Sequence, residues 1–424
     1  MHERRPGKVT SPIVSLSTSY VKLVPFGLIL AALGFGIGYL MSGGDFQRFS
    51  FSYLTVFCTA LSTMLGCLFF VVSQHLTRAG WSATVRRIGE IYAMSVPLML
   101  LLFLVILVPI LLMNYSAVYG WVKDGWTGGS PNPSFQELKD TYLNKMWFGI
   151  RIVAYFSIWG LMAWSFFGTS LKQDTTGDKL LSRKMQKSAT WKMIIFAATI
   201  VFASFDLEMS LAPRWFSTMF PVYFFAGGVM SAFALISLTS LLLQRSGRVT
   251  DEITTEHYHD LAKLTFAFVF FWGYIAFSQF LLIWYANLPE ETFWYRYRMA
   301  DLAGSGWKNW SLLLLFGHLF IPFLGLMART VRRNKTYLLF ANIYILVMHW
   351  VDHYWIIMPQ LGTMKATDPE TAPLALPFNP LIDIPMLVGI TGIVITFFCV
   401  LAADRPLIAL KDPRLEEALN YKNV

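Results

Sequence analysis

The chain reads as an all-α, polytopic membrane protein, and three observations carry that reading. Of its 424 residues, 55% are hydrophobic and only 14% are charged, against about 25% charged in ordinary globular chains. Mean hydropathy is +0.52. The apolar residues also fall into long runs separated by short basic stretches, a pattern for spanning lipid and not for filling a soluble core.

Taken in order, residues 1–23 are polar and basic, with Arg4, Arg5, Lys8 and Lys22, and form a cytoplasmic N-terminal segment. The apolar run at 24–42 follows without a small-residue cleavage site, so it predicts a retained flanking helix and not a signal peptide. Further runs of spanning length lie at 50–74, 88–113, 146–168, 190–212, 217–243, 261–287, 309–328, 336–357 and 384–403. The total is about ten transmembrane helices. Most of the 34 lysines and arginines sit at the N-terminus, in alternate loops and in the tail at 404–424. The positive-inside rule therefore places both termini in the cytoplasm. The same scatter of basic residues through short loops argues against a nucleic-acid partner.

Cys58, Cys67 and Cys399 all lie within apolar runs and have no metal-ligand spacing, which marks them as small packing residues. The chain has no CxxCH haem-attachment motif and no ferredoxin-like cysteine run. Any c-type haem or iron–sulfur cluster must then belong to another subunit. The outer connections at 114–145, 288–308 and 358–383 are long. The first holds Trp121 and Trp126 among glycines and prolines, and the second holds the string Phe293 to Arg298. Such aromatic clusters predict interfacial belts, and long ordered outer loops suit docking of a peripheral partner.

An internal repeat is visible. Lys187-x-x-Thr190-Trp191 is followed by Asp206 and Pro213. Arg333-x-x-Thr336-Tyr337 is followed by Asp352 and Pro359 at the same spacings. This divides the chain into two four-helix bundles, 50–212 and 217–357, with a flanking helix at each end.

The polar residues inside the runs are the candidate chemistry. His349, Asp352 and His353 can share one helical face. An ionised carboxylate at membrane depth costs roughly 2.5–3.5 kcal/mol on insertion scales unless it finds protein, water or a partner. Asp206 and Glu208 lie near the outer end of their helix, with Arg151 a candidate charge partner for either. For Glu208 and Arg151 the alternative is snorkelling to the interface. On the inner side, His257, His259 and Asp260 could collect protons, although Asp260 before Leu261 also reads as a helix N-cap. Glu90 and His75 suggest a second mouth. Gly227, Gly228 and Ser231 read as a close helix contact. His318, His349 and His353 are the only deep histidines and two share a helix, which argues against bis-histidine haem. No Walker A, HExxH or GxSxG pattern is present.

Several stretches look familiar together: Phe205-Asp206-Leu207-Glu208-Met209-Ser210-Leu211-Ala212-Pro213-Arg214-Trp215, Val222 to Gly228, His257-Tyr258-His259-Asp260-Leu261, and Tyr274 to Thr292. The chain resembles the ActF-like branch of the NrfD-like (polysulfide reductase membrane-subunit) family, found in bacterial alternative complex III. The resemblance is dense over 205–295. It implies an integral subunit of a respiratory quinol:cytochrome c (or oxidase) oxidoreductase in the bacterial inner membrane. It further implies an iron–sulfur subunit, multihaem cytochrome c subunits and a second NrfD-like subunit as partners, with a terminal oxidase as an additional candidate. Haem c and iron–sulfur clusters would sit in those partners, and quinol or menaquinol would be the substrate, with no cofactor covalently bound here. Carried over, Asp206, Asp352, His349 and His353 match polar positions of the bundles, and His257 to Asp260 match a cytoplasmic proton entry. The first bundle lacks the deep histidine that a quinol headgroup needs. Three functions follow: a supporting subunit that conducts protons, a subunit with its own quinol site, and a stand-alone proton-coupled transporter.

Overall fold

The computed structural model describes residues 23–122, 141–299, 306–365 and 378–422. The N-terminal segment up to residue 22, the glycine- and proline-rich part of the first outer connection with Trp126, and most of the proline-rich third connection lie outside the described residues. Among the described residues there are helices, turns and loops, with no strand. In chain order the principal helices are α1 Leu23–Met41, α2 Phe46–Leu76, α3 Arg86–Leu112, α4 Lys145–Thr176, α5 Lys179–Leu207, α6 Phe220–Arg245, α7 Thr255–Ala286, the short α8 Pro289–Met299, α9 Trp307–Met327, α10 Lys335–Ile357, α11 Pro380–Ala402 and a short tail helix, α12 Leu415–Leu419.

Nine helices among the described residues are long and apolar enough to cross a membrane, where the sequence predicts about ten. The difference is α10. Its 23 residues would reach roughly 35 Å at 1.5 Å per residue, but Asn342, His349, Asp352 and His353 lower its apolarity. Helices α4 and α5 run past their apolar cores into a shared polar extension. Gly177, in the left-handed region at φ 69°, ends α4, and the Asp178 side chain accepts from Leu180 N to start α5. Helix α3 is interrupted at Met94 and Ser95, where Pro97 has no N–H to continue the ladder. The middle of α9 widens into a π-helical turn over Leu314–Phe320. Pro322 supplies no N–H there, and the Gly317 carbonyl accepts from the Tyr344 hydroxyl at 2.9 Å instead.

Helix α2 is the axis of the bundle and is buried along most of its length. It packs in parallel on α6, with Thr63 Oγ1 and Ser231 Oγ 2.9 Å apart. A Cβ at Gly66 would come within 2.2 Å of the Gly228 carbonyl oxygen, so only glycine allows this approach. Helices α5 and α10 each lie against both members of this central pair. Beyond them, α3 and α4 complete one half, and α7 and α9 complete the other. The flanking helices α1 and α11 pack antiparallel on one another, Gly27 facing Thr396 and Gly38 facing Met386. They are tied to the central helix by Arg48, which donates to both oxygens of buried Asp383 at 2.9 and 2.7 Å.

The aromatic string at 293–298 forms α8, and its Trp294, Tyr297 and Arg298 turn inward. Trp294 stacks on Trp215 with centroids 4.3 Å apart. Arg298 is fully buried and donates to the carbonyls of Trp355 and Ile356 at 3.1 and 2.7 Å. A guanidinium there satisfies orphan carbonyls at the end of α10 and complements the negative end of its dipole.

Candidate functional site

The last turns of α10 carry His349, Asp352 and His353 into the centre of the bundle, where each is 1–2% exposed. The α2 residue Ser62 meets both histidines: its Oγ lies 2.8 Å from His349 Nε2 and 3.0 Å from His353 Nε2. The other nitrogen of His353, Nδ1, is 2.7 Å from Glu208 Oε1. Glu208 is therefore neither snorkelling nor paired with Arg151. It sits just past the end of α5, buried beside Cys58, and points across the bundle at His353.

Hydrogen-bond capacity constrains the protons in this chain of groups. Ser62 Oγ also lies 3.1 Å from the Thr59 carbonyl oxygen. A hydroxyl has one proton to donate and two lone pairs to accept with. If Ser62 donates to Thr59, both histidines must donate to Ser62 from Nε2, and the proton between His353 Nδ1 and Glu208 sits on either group. If Ser62 donates to a histidine instead, that ring has given up its Nε2 proton. The two arrangements differ by proton positions alone, with the heavy atoms in place.

Asp352 faces a different set of partners. The Tyr223 hydroxyl of α6 donates to its Oδ1, and Trp272 Nε1 of α7 donates to its Oδ2 at 3.1 Å. Trp272 in turn lies against His318 of α9, with ring centroids 4.2 Å apart. Both His318 nitrogens are buried without a hydrogen-bond partner. The space between His349 and Asp352 is kept open by Gly227. A Cβ there would lie 3.1 Å from His349 Cε1 and 3.6 Å from Asp352 Oδ2. Gly228, its neighbour, makes the close contact with α2 that the sequence predicts for this pair, whereas Gly227 borders the polar cluster.

Asp206 occupies the corresponding place in the other half and is chemically unlike Asp352. Arg151 donates to both of its oxygens, from Nε at 2.8 Å and from a terminal nitrogen at 2.7 Å. Tyr155 adds a third bond at 3.0 Å. The Tyr142 ring lies 4.0 Å from the guanidinium. Burial first, and then the Asp206 charge, push the Tyr142 hydroxyl up to about 12. Both oxygens of this carboxylate are taken up by one bidentate cation.

No protein-family model and no curated protein matches this chain.

The remaining sequence candidates lie at the opposite end of the bundle, which carries the basic connections. The N-cap reading of Asp260 does not hold. Helix α7 starts earlier, at the Thr254 N-cap, and His257 closes a capping box by accepting from Thr254 N at 3.0 Å. Asp260 is a turn inside the helix and pairs with Lys263 at 2.7 Å. The tail folds back over this segment, with Tyr421 5.9 Å from the His257 ring. Burial, followed by a hydrogen bond to Asp260, pushes the Tyr421 hydroxyl up to about 12. His259 is buried near Lys263 and Arg332. Glu90 sits between Arg87 at 3.0 Å and Arg86 at 3.5 Å. His75 is stacked on Phe166. The structure joins His349, His353 and Glu208 into one cluster with Asp352 alongside. It keeps Asp206 with Arg151, and leaves His257, His259, Asp260 and Glu90 apart at the basic end.

Sequence reading missed Ser62, Tyr223 and Trp272. Ser62 stands in a helix rich in small residues, and Tyr223 and Trp272 read as ordinary aromatic packing. Only the crossing of α2, α6, α7 and α10 shows that all three aim at one place. Among the described residues, no group of three His, Cys, Asp or Glu side chains is arranged to hold a metal ion.

Proposed function

We propose that this chain is an integral membrane subunit of a respiratory quinol:cytochrome c (or oxidase) oxidoreductase, of the kind the ActF-like resemblance implies, and that a buried cluster where its two halves meet carries protons. The observation behind the proton role is the buried sequence Glu208–His353–Ser62–His349, with Asp352 and Tyr223 beside it. Titratable groups inside a membrane protein are costly, and those without a structural partner of opposite charge are by default candidates for ion and proton routes. Histidine is suited to this work because each ring can take a proton on one nitrogen and release it from the other. Oxidation of a quinol to a quinone releases two protons and two electrons. The electrons would leave through iron–sulfur and haem c groups in partner subunits, and the protons need a path that these groups do not provide. The location would be the bacterial inner membrane.

The test is isolation through a tag on this chain, followed by reconstitution in liposomes. The expected result is co-purification with c-type cytochromes and an iron–sulfur protein. Asp352→Asn and His353→Gln should each lower quinol-driven proton release per electron several-fold while electron transfer persists. A chain that isolates alone and drives proton-coupled solute uptake would overturn the subunit reading. Unchanged proton release per electron in both variants would overturn the proton role.

A further inference from the structure

At the basic end, α2, α5 and the C-terminal tail surround a cleft of about 250 Å³. Arg78, Lys179 and Arg183 line it, and none of the three has an ion-pair partner among the described residues. Two more arginines reach the cleft but are already engaged: Arg86 with Asp412 and Arg414 with Glu417. Asp412 is the acidic residue in the lining, and its pairing with Arg86 leaves the other three cations uncompensated. The inner wall is polar as well. Gln74 Oε1 and His75 Nε2 line the cleft and are buried without a hydrogen-bond partner. Three cations without ion-pair partners, around a buried imidazole nitrogen that one tautomer makes a donor, describe a receptor for an anion.

We propose that this cleft binds a phosphate-bearing anion, in the form of the head group of an anionic phospholipid. Size favours a head group, because the cleft is smaller than the roughly 300–1,000 Å³ of pockets that enclose drug-sized ligands. Position favours a lipid. Arg183 is shared with a shallow groove along α5 that continues past Lys184 and Lys187 to Trp191. Trp191 and Leu180 are exposed on that face. Basic pockets between transmembrane helices on the positive side of a protein are suited to anionic head groups, and an exposed tryptophan at that level suits the adjoining interface. In the bound state Arg78 and Arg183 would grip phosphate oxygens, and His75 Nε2 would act through its hydrogen-bonding valence. The bound lipid would link α2 and α5 to the tail that folds over α7.

The experiment uses the full chain, purified in detergent within whatever complex it forms and stripped of lipid. It would be titrated with cardiolipin or phosphatidylglycerol, with phosphatidylcholine, and with inorganic phosphate. Retention would be read by native mass spectrometry and melting temperature by fluorescence. The anionic lipids should bind and raise the melting temperature, phosphatidylcholine should not, and the double variant Arg78→Gln/Arg183→Gln should weaken binding at least tenfold. Arg245→Gln, at the same end but outside the cleft, should bind normally. Both charge variants alter exposed side chains, and their lipid-free melting temperatures control for folding. Inorganic phosphate that binds as tightly as the lipids, and is lost in the same double variant, would keep the anion site and reassign its source to a free phosphate. Equal binding of anionic and zwitterionic lipid, or a double variant that binds as the parent does, would overturn the proposal.

Discussion

Asp206 and Asp352 occupy matching places in the two halves of the bundle, and their partners differ in kind: a cation in one half, neutral donors in the other. In the first half, Arg151 clamps Asp206 through two bonds and Tyr155 adds a third. The guanidinium keeps its charge and its planar fork matches the carboxylate, so this pair joins α4 to α5. In the second half, the direct partners of Asp352 are the neutral donors Tyr223 and Trp272. The charge-bearing groups that act on it from further away are His353 and Glu208. The first arrangement holds helices together. Under the proposed proton role, the second lets the proton count change without dismantling the structure.

The most damaging way to break this contrast is Arg151→Leu. It leaves Asp206 buried and uncompensated, so about 3–5 kcal/mol of stability should be lost, seen as a sharp drop in melting temperature and yield in detergent. A variant that melts like the parent would show that the pair is not structural. Next comes Gly227→Ala, whose methyl must displace the His349 ring or move α6. Overpacking of this kind costs about 1–3 kcal/mol. The same change should slow proton release, because it fills the space between His349 and Asp352.

Asp352→Asn sharpens the comparison from the other side. The amide oxygen still accepts a hydrogen bond but its nitrogen faces a donor, so the loss should be about 1–2 kcal/mol, within the range for a mispaired buried group. That is smaller than for Arg151→Leu, although its effect on proton release should be the larger of the two. The reverse ordering of the two variants in melting experiments would invert the assigned roles. The smallest effect is expected from Tyr223→Phe. Removing one intramembrane hydrogen bond costs about 0.6 kcal/mol on average, and a double-mutant cycle with Asp352→Asn should give a coupling of that order. A coupling of zero would place the hydroxyl outside the cluster.

The fold was legible because lipid imposes a simple rule. Spanning segments must be long, apolar and helical, and the runs around α1 to α7, α9 and α11 announce themselves. The helix that departs from the rule, α10, is the one that carries the cluster. Helix ends were less legible. The polar extension of α4 and α5 and the early start of α7 depend on caps at Gly177, Asp178 and Thr254, which hydropathy does not register. The inward turn of Trp294 and Arg298 was not legible for a related reason: composition does not say which way a short amphipathic helix faces.

By itself the amino-acid sequence determined which residues are too polar for their surroundings, because the cost of burying His349, Asp352, His353, Asp206 and Glu208 depends on depth along a helix. It also marked Arg151 as a cation within reach of a carboxylate. Tertiary structure decided the pairing. Glu208 and Asp206 are two residues apart, yet the turn at the end of α5 sends one to His353 and the other to Arg151. Whether a buried carboxylate is locked or free to exchange a proton depends on which group lies within about 3 Å of it, and that distance exists only once the helices have crossed.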